Sequence, residues 1–185
     1  MGKLGKMIKE VIITIVLAIC ISFILQTFVI QARYVPTGSM LPTIELDQRI
    51  LVNKLIYKFK TPERGDIIVF EPPIESDDNK DYIKRVIGLP GDKIEVKDGY
   101  VYVNDTPLHE PYIYEKPKYR LEPVIVPDNC LFVLGDNRNQ SYDSHIWDTW
   151  LTMDQVKGKA FFTYWPLEKM GVFKTEVKSA HTHNK

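Results

Sequence analysis

From Val11 to Ile30 the chain runs 20 residues without a charge, softened only by Thr14, Ser22, Gln26 and Thr27. As a helix rising about 1.5 Å per residue, such a run is roughly 30 Å long, the thickness of a bilayer's hydrocarbon core. A helix apolar on all faces does not suit the surface of a water-soluble domain, and its length suits a membrane better than a buried core. A cleaved secretory signal is the main rival, but its apolar core is usually only about 7–15 residues, followed by small residues at alternate positions. Here the exit reads Val29-Ile30-Gln31-Ala32-Arg33, with no small-x-small pair. An uncleaved anchor is therefore expected. Lys3, Lys6 and Lys9 precede the run while only Arg33 follows closely, a bias that keeps the amino end cytoplasmic. The expected location is the cell membrane, crossed once, with the rest of the chain extracytoplasmic.

Beyond Arg33 the periodicity is that of strands. Arg49–Asn53, Asp66–Phe70, Tyr82–Ile87 and Leu131–Leu134 are short β-rich runs bounded by Gly, Pro, Asp and Asn. Lys93–Lys97 and Tyr100–Asn104 alternate around Asp98-Gly99, the strongest hairpin signal in the chain. Ala160–Trp165 reads as a closing strand, and Thr152-Met-Asp-Gln155 as a short capped turn. The expected fold is mostly β: a single N-terminal transmembrane helix, then an antiparallel, barrel-like catalytic domain with hairpin extensions. Its divisions are a cytoplasmic N-terminus (1–10), a transmembrane anchor (11–31), an extracytoplasmic β-domain (32–173) and a disordered polar tail (174–185). Within the domain, residues 97–129 form a smaller loop and hairpin excursion.

Lys+Arg and Asp+Glu are both 24, so the formal net charge is zero and nothing draws the chain to nucleic acid. Cys20 lies inside the apolar run, so a disulfide with Cys130 is geometrically unfavourable and both are read as free thiols. His181-Thr-His183 is a short match to metal-ligand spacing in a polar tail, better read as a solvated terminus.

The chemistry centres on Tyr34-Val-Pro-Thr-Gly-Ser-Met-Leu-Pro-Thr43, just past the apolar run. Pro36, Gly38 and Pro42 prevent a regular helix and hold the Ser39 hydroxyl at a turn close to the membrane, as a nucleophile would be held. Such a hydroxyl needs a base. Lys84 sits in an apolar β-run beside Arg85, and alternation along a strand points one of the two inward. An ordinary lysine at about pH 7.5 is neutral only about once in a thousand, so a base lysine needs a shift of about 3 pKa units, or roughly 4 kcal/mol, which burial can supply. His145, with Asp143 or Asp136 as helper, is the second candidate base. It lies in Gly135-Asp-Asn-Arg-Asn-Gln-Ser-Tyr-Asp-Ser-His145, a stretch dense in hydrogen-bonding groups that also suits an architectural turn.

Four ordered blocks carry a resemblance: Gly38-Ser-Met-Leu-Pro-Thr43, Gly65-Asp-Ile-Ile-Val-Phe70, Lys84-Arg85 with Gly88-Leu-Pro-Gly-Asp92, and Gly135-Asp-Asn-Arg138 with Ser141-x-Asp143-Ser144. On these the chain resembles the bacterial type I signal peptidases, membrane-anchored Ser/Lys serine endopeptidases that remove signal peptides from exported proteins. Its short length and single span are similar to the Gram-positive form. The resemblance implies Ser39 as nucleophile, Lys84 as general base, and an oxyanion hole from the Ser39 amide and the Thr37 hydroxyl, where serine is common in the family. It implies that Ser141 orients the lysine amine and that Asp143 and Arg138 are structural. His145 stands where many members have arginine, so an Asp143–His145 contact is expected instead. Met40 and Ile83, flanking the catalytic pair, are expected to wall the shallow pockets that select small residues before the cut. Trp147, Trp150 and Trp165 are read either as an interfacial patch or as core.

The resemblance implies no metal or organic cofactor. The partners expected are preprotein signal peptides, the lipid bilayer and, as a further candidate, the secretion translocase, with no nucleic acid. Two other readings remain: a hydrolase using His145 as base, and a membrane-tethered module that binds precursors without cutting them. Self-cleaving Ser/Lys repressors would need a DNA-binding unit where this chain has its apolar run.

Overall fold

The structure, a computed structural model, describes residues 2–74, 80–174 and 178–179. Helix α1 spans Lys3–Ile24 and passes into a π-helical segment, Leu25–Val29. The strands are β1 Ile30–Tyr34, β2 Arg49–Asn53, β3 Ile67–Phe70, β4 Tyr82–Gly88, β5 Lys93–Lys97, β6 Tyr100–Val103 and β7 Thr106–His109. They continue as β8 Leu121–Ile125, β9 Cys130–Leu134, β10 Leu151–Thr152, β11 Val156–Trp165, β12 Gly171–Val172 and β13 Lys178–Ser179.

The larger sheet has eight strands in the order β1-β2-β11-β3-β4-β9-β10, with β12 on β11; the smaller has five, in the order β13-β7-β6-β5-β8. All pairings are antiparallel. Among the described residues β1 and β10 are the ends of the large sheet, so the expected barrel-like form is not closed. Strands β3, β4 and β9 lie at its centre, which explains their nearly unbroken burial. One core cluster joins the two sheets, with Ile87, Phe132 and Leu134 packing on Ile94, Val96 and Val101. At this seam a Cβ on Gly88 would lie 2.9 Å from Ile94, Phe132 and Val126 atoms. Only glycine allows that approach.

Asp98 and Gly99 turn with φ of 52° and 78°, the left-handed pair that the β5–β6 hairpin demands. Asn104 and Asp105 repeat the device at 51° and 65°, so β7 folds back on β6. The 97–129 excursion holds the turns of the β5–β6 and β6–β7 hairpins and the strand β8, with the loop 110–120 between β7 and β8; Pro107 in β7 and Pro123 in β8 masked these strands in the sequence. Gln155 accepts the Thr152 amide at 3.0 Å, capping the turn before β11.

The expected 11–31 anchor is divided differently. The helix begins at Lys3, and Ile30 and Gln31 belong to β1, where they face Asn53 and Val52. Among the described residues no helix is long and apolar enough to cross a membrane: Lys3, Lys6, Lys9 and Glu10 occupy the first turns of α1, and the α geometry ends at Ile24. Yet Val11, Ile15, Leu17, Ile19 and Phe23 on α1 are all exposed. Of the tail expected to be disordered from 174, Lys178–Ser179 pairs with β7, while 175–177 and 180–185, including His181 and His183, lie outside the described residues. Trp147 is buried in one core cluster and Trp150 packs against another; Trp165 is half exposed, so the three form no single patch. Cys20 and Cys130 are free.

Candidate active site

Ser39 lies in the turn between β1 and β2. The Val35 and Asp47 amides donate to the Gln48 and Val35 carbonyls, closing its base, and the Leu41 amide donates to Gly38. Met40 and Ile44 are fully buried beneath it, so the segment is fastened to the core on one side. From the other side comes the turn after β9. The Asn137 amide donates to the Ser39 carbonyl at 3.0 Å and its Nδ2 to the Gly38 carbonyl at 3.1 Å. A Cβ on Gly135 would lie 2.4 Å from the Ser39 carbonyl oxygen, so this contact too needs glycine.

Lys84, opposite Ile68 of β3, reaches this turn from the middle of β4. Its Nζ lies 2.8 Å from Ser39 Oγ and 3.1 Å from the Ile83 carbonyl, which accepts from it. The residue is 4% exposed. Burial pulls the ammonium down from its ordinary 10.5 to about 8, with the Asp143 and Asp136 charges opposing part of the fall. At pH 7 about one lysine in ten is then neutral, several hundred times more than for a solvated one. A neutral amine 2.8 Å from a hydroxyl can accept its proton. The chemistry of the pair is activation of a serine oxygen for attack.

Arg85 is buried as well, so β4 points a cation inward on both sides. Arg85 grips Asp136 through two bonds, Nε to Oδ1 at 2.8 Å and Nη2 to Oδ2 at 2.7 Å, while Thr43 Oγ1 donates to the same carboxylate at 2.5 Å. Arg138 makes a second fork, with Glu110 at 2.9 and 2.8 Å, and its Nε donates to the Gly135 carbonyl. The Tyr112 ring lies 4.0 Å from the Arg85 guanidinium and 5.9 Å from that of Arg138. These pairs hold the 135–138 turn from behind.

Asp143 Oδ2 accepts the Gly135 amide at 2.8 Å, and Oδ1 meets His145 Nδ1 at 2.6 Å, the contact expected in place of an arginine pair. The His145 ring stacks on Tyr119 at 3.9 Å. Among the described residues no hydrogen bond joins His145 to Ser39. Thr37 is exposed, with Oγ1 3.5 Å from Ser39 Oγ. Ser141 departs from expectation: its Oγ is buried without a hydrogen-bond partner, and Lys84 bonds Ser39 and Ile83 instead. Met40 is fully buried among Val35, Ile44 and Ile67, so it presents no wall to a pocket; Ile83 is half-buried at the edge of that cluster. Asn137, Glu110 and Tyr112 were not singled out from the sequence. Asn137 had a signal, since a side-chain amide within Gly135-Asp-Asn is suited to bonding a second loop.

The family model for signal peptidase, peptidase S26, matches residues 8–165. The chain is 42% identical over 168 residues to a Synechocystis protein described as probable signal peptidase I-2, covering 89% of this chain and 77% of that one. It is 43% identical over 174 residues to signal peptidase I of Leptolyngbya laminosa, covering 91% and 85%. Against signal peptidase I of Bacillus caldolyticus it is 39% identical over 166 residues, covering 82% and 88%. The chain therefore belongs to the signal peptidase S26 family of serine endopeptidases.

Proposed function

We propose that this chain is a membrane-anchored endopeptidase that cleaves signal peptides from exported preproteins with a Ser39–Lys84 dyad. The observation that carries the reading is the 2.8 Å contact between a turn serine and a buried lysine whose amine is pulled down to about 8. Neutral Lys84 takes the Ser39 proton as Oγ attacks the scissile carbonyl, then gives it to the leaving amine. The Ser39 amide and the Thr37 hydroxyl stabilise the oxyanion; a rotation of Thr37 would aim its hydroxyl, already 3.5 Å from Oγ, at the developing charge. Water activated by the same lysine releases the acyl-enzyme. Asp143, Arg138 and Ser141 shape the turn behind the pair.

The anchor is α1 with the π-helical segment after it. Its exposed apolar side chains favour lipid over water, and the helical path continues to Val29, beyond the end of α1 itself. With the lysines at the amino end cytoplasmic, the β-domain lies outside. The preprotein is held extended beside Ser39, and small residues are required before the cut.

The test is a preprotein bearing an Ala-x-Ala site, incubated with the detergent-solubilised protein and with its Ser39→Ala and Lys84→Ala variants. The reading expects cleavage after that site, lost in both variants and unaffected by chelators. Tight binding of the precursor without cleavage would instead support a binding module.

A further inference from the structure

The register of β1 on β2 has a consequence outside the active site. Ile30, the first residue after the helical path, faces Asn53, and the Lys54 amide donates to the Val29 carbonyl at 2.9 Å. Whatever follows Asn53 is therefore held at the level where the helix ends. The sequence there is Lys54-Leu-Ile-Tyr-Lys-Phe-Lys60. Asn53 also faces Lys159 of β11, which brings Lys157 to the same rim.

A cleft of about 400 Å³ opens at this junction, lined by Phe28, Lys54, Tyr57, Lys58, Asp154 and Lys157 among others. Phe28, in the cleft lining, is 58% exposed, and Phe59, next to Lys58 in the chain, is 82% exposed. Among the described residues the carboxylates at the rim are Asp154, which lines the cleft, and Asp81 and Glu71, which hold Lys157 at 2.7 and 3.3 Å. Arg33 pairs with Asp81 as well. Among the described residues three lysines and one carboxylate, Asp154, line the cleft itself, while Arg33 and Lys157 share Asp81 at its rim.

We propose that this cleft binds the phosphate headgroup of an anionic phospholipid, with Lys54 and Lys58 on the phosphate and Phe28 and Phe59 against the glycerol and upper acyl region. The inference rests on α1 being the membrane anchor, which puts the helix–sheet junction at the bilayer surface. Cations beside exposed aromatics at that depth match the two-part chemistry of a lipid, charged head over apolar tail. A soluble phosphate would give the aromatics no role. Because β1 follows the helix directly, a bound headgroup fixes the height of the sheet above the membrane.

The experiment places the full chain in phosphatidylcholine vesicles containing spin-labelled phosphatidylglycerol or spin-labelled phosphatidylcholine. The motionally restricted fraction of each label gives their relative affinity for the protein boundary. The phosphatidylglycerol label should be favoured, and Lys54→Gln and Lys58→Gln should each lower that preference by about fivefold. Lys116→Gln, in a lysine that bonds Tyr100 on the smaller sheet, should leave it intact. Exchange of chloride for inorganic phosphate at equal ionic strength should also leave it intact. Lys58 is exposed, so the Lys58→Gln result stands even if the half-buried Lys54→Gln variant folds poorly. A preference unchanged in Lys58→Gln, or removed by inorganic phosphate, overturns the headgroup site while leaving the anchor in place. A chain that does not float with neutral vesicles overturns the anchor and the headgroup site together.

Discussion

Strand β4 carries Lys84 and Arg85 side by side, both buried, on opposite sides of one backbone. Arg85 meets a carboxylate at 2.7 and 2.8 Å, with Thr43 completing the carboxylate's bonds. Lys84 is bonded by no carboxylate among the described residues, only by a hydroxyl and a carbonyl. The same burial thus produces two outcomes. A cation with a matched anion serves as a brace. A cation given only neutral partners moves toward the free amine, and that destabilised charge is what makes it useful as a base. The arginine side builds the wall against which the lysine side works, since Asp136 sits in the turn whose neighbour Asn137 holds Ser39.

The comparison is broken most severely by removing the base. Lys84→Ala should lower kcat/KM on a precursor by about a thousandfold or more, read by single-turnover cleavage, with an intact fold by circular dichroism. Next comes the brace: Asp136→Ala leaves Arg85 buried and unpaired and should cost about 3–5 kcal/mol in chemical denaturation. A loss under about 1 kcal/mol would mean that the pair is not the support described.

Lys84→Met should act in the opposite sense on stability while still abolishing cleavage. Below pH 8 the native lysine is forced to carry a buried charge, at a cost of about 3 kcal/mol for a pKa lowered from 10.5 to about 8. The sign follows from proton counts. Between pH 8 and about 10.5 the unfolded chain binds more protons at this site than the folded one, so the wild type gains stability as pH rises. The methionine variant lacks that gain, and its advantage over wild type should shrink across the same window. The smallest effect belongs to His145→Gln, which keeps a hydrogen-bonding side chain beside Asp143. Cleavage should fall only a few-fold, with the pH dependence unmoved.

Much of the scaffold could be read from the sequence because its signals are local. Alternation around Asp98-Gly99 marks a turn by its own backbone needs, and the β-rich runs at 49–53 and 82–87 are side chains suited to a pleated, half-buried surface. The extent of the anchor was harder, because apolarity does not say where a helix yields to a strand. Ile30 and Gln31 were assigned by pairing with a segment more than 20 residues away. The site shows the same division. Ser39 and Lys84 stand in recognisable blocks, and the structure brings their side chains within 2.8 Å. The partners of the neighbouring arginines lie 51 positions away for Arg85 and 28 for Arg138: Asp136 stands in a recognisable block that does not say it pairs with Arg85, and Glu110 carries no local mark. Met40 adjoins Ser39 in sequence but is fully buried, because adjacency along the chain says nothing of the direction a side chain takes.

The most direct measurement of the Ser39–Lys84 account is the pH profile of kcat/KM between pH 6 and 10, recorded on the wild type and on His145→Gln. A single limb rising with an apparent pKa near 8, identical in the two proteins, is the result predicted for a buried lysine base. A limb near 6 to 7 that vanishes in His145→Gln would contradict it and make the histidine the base.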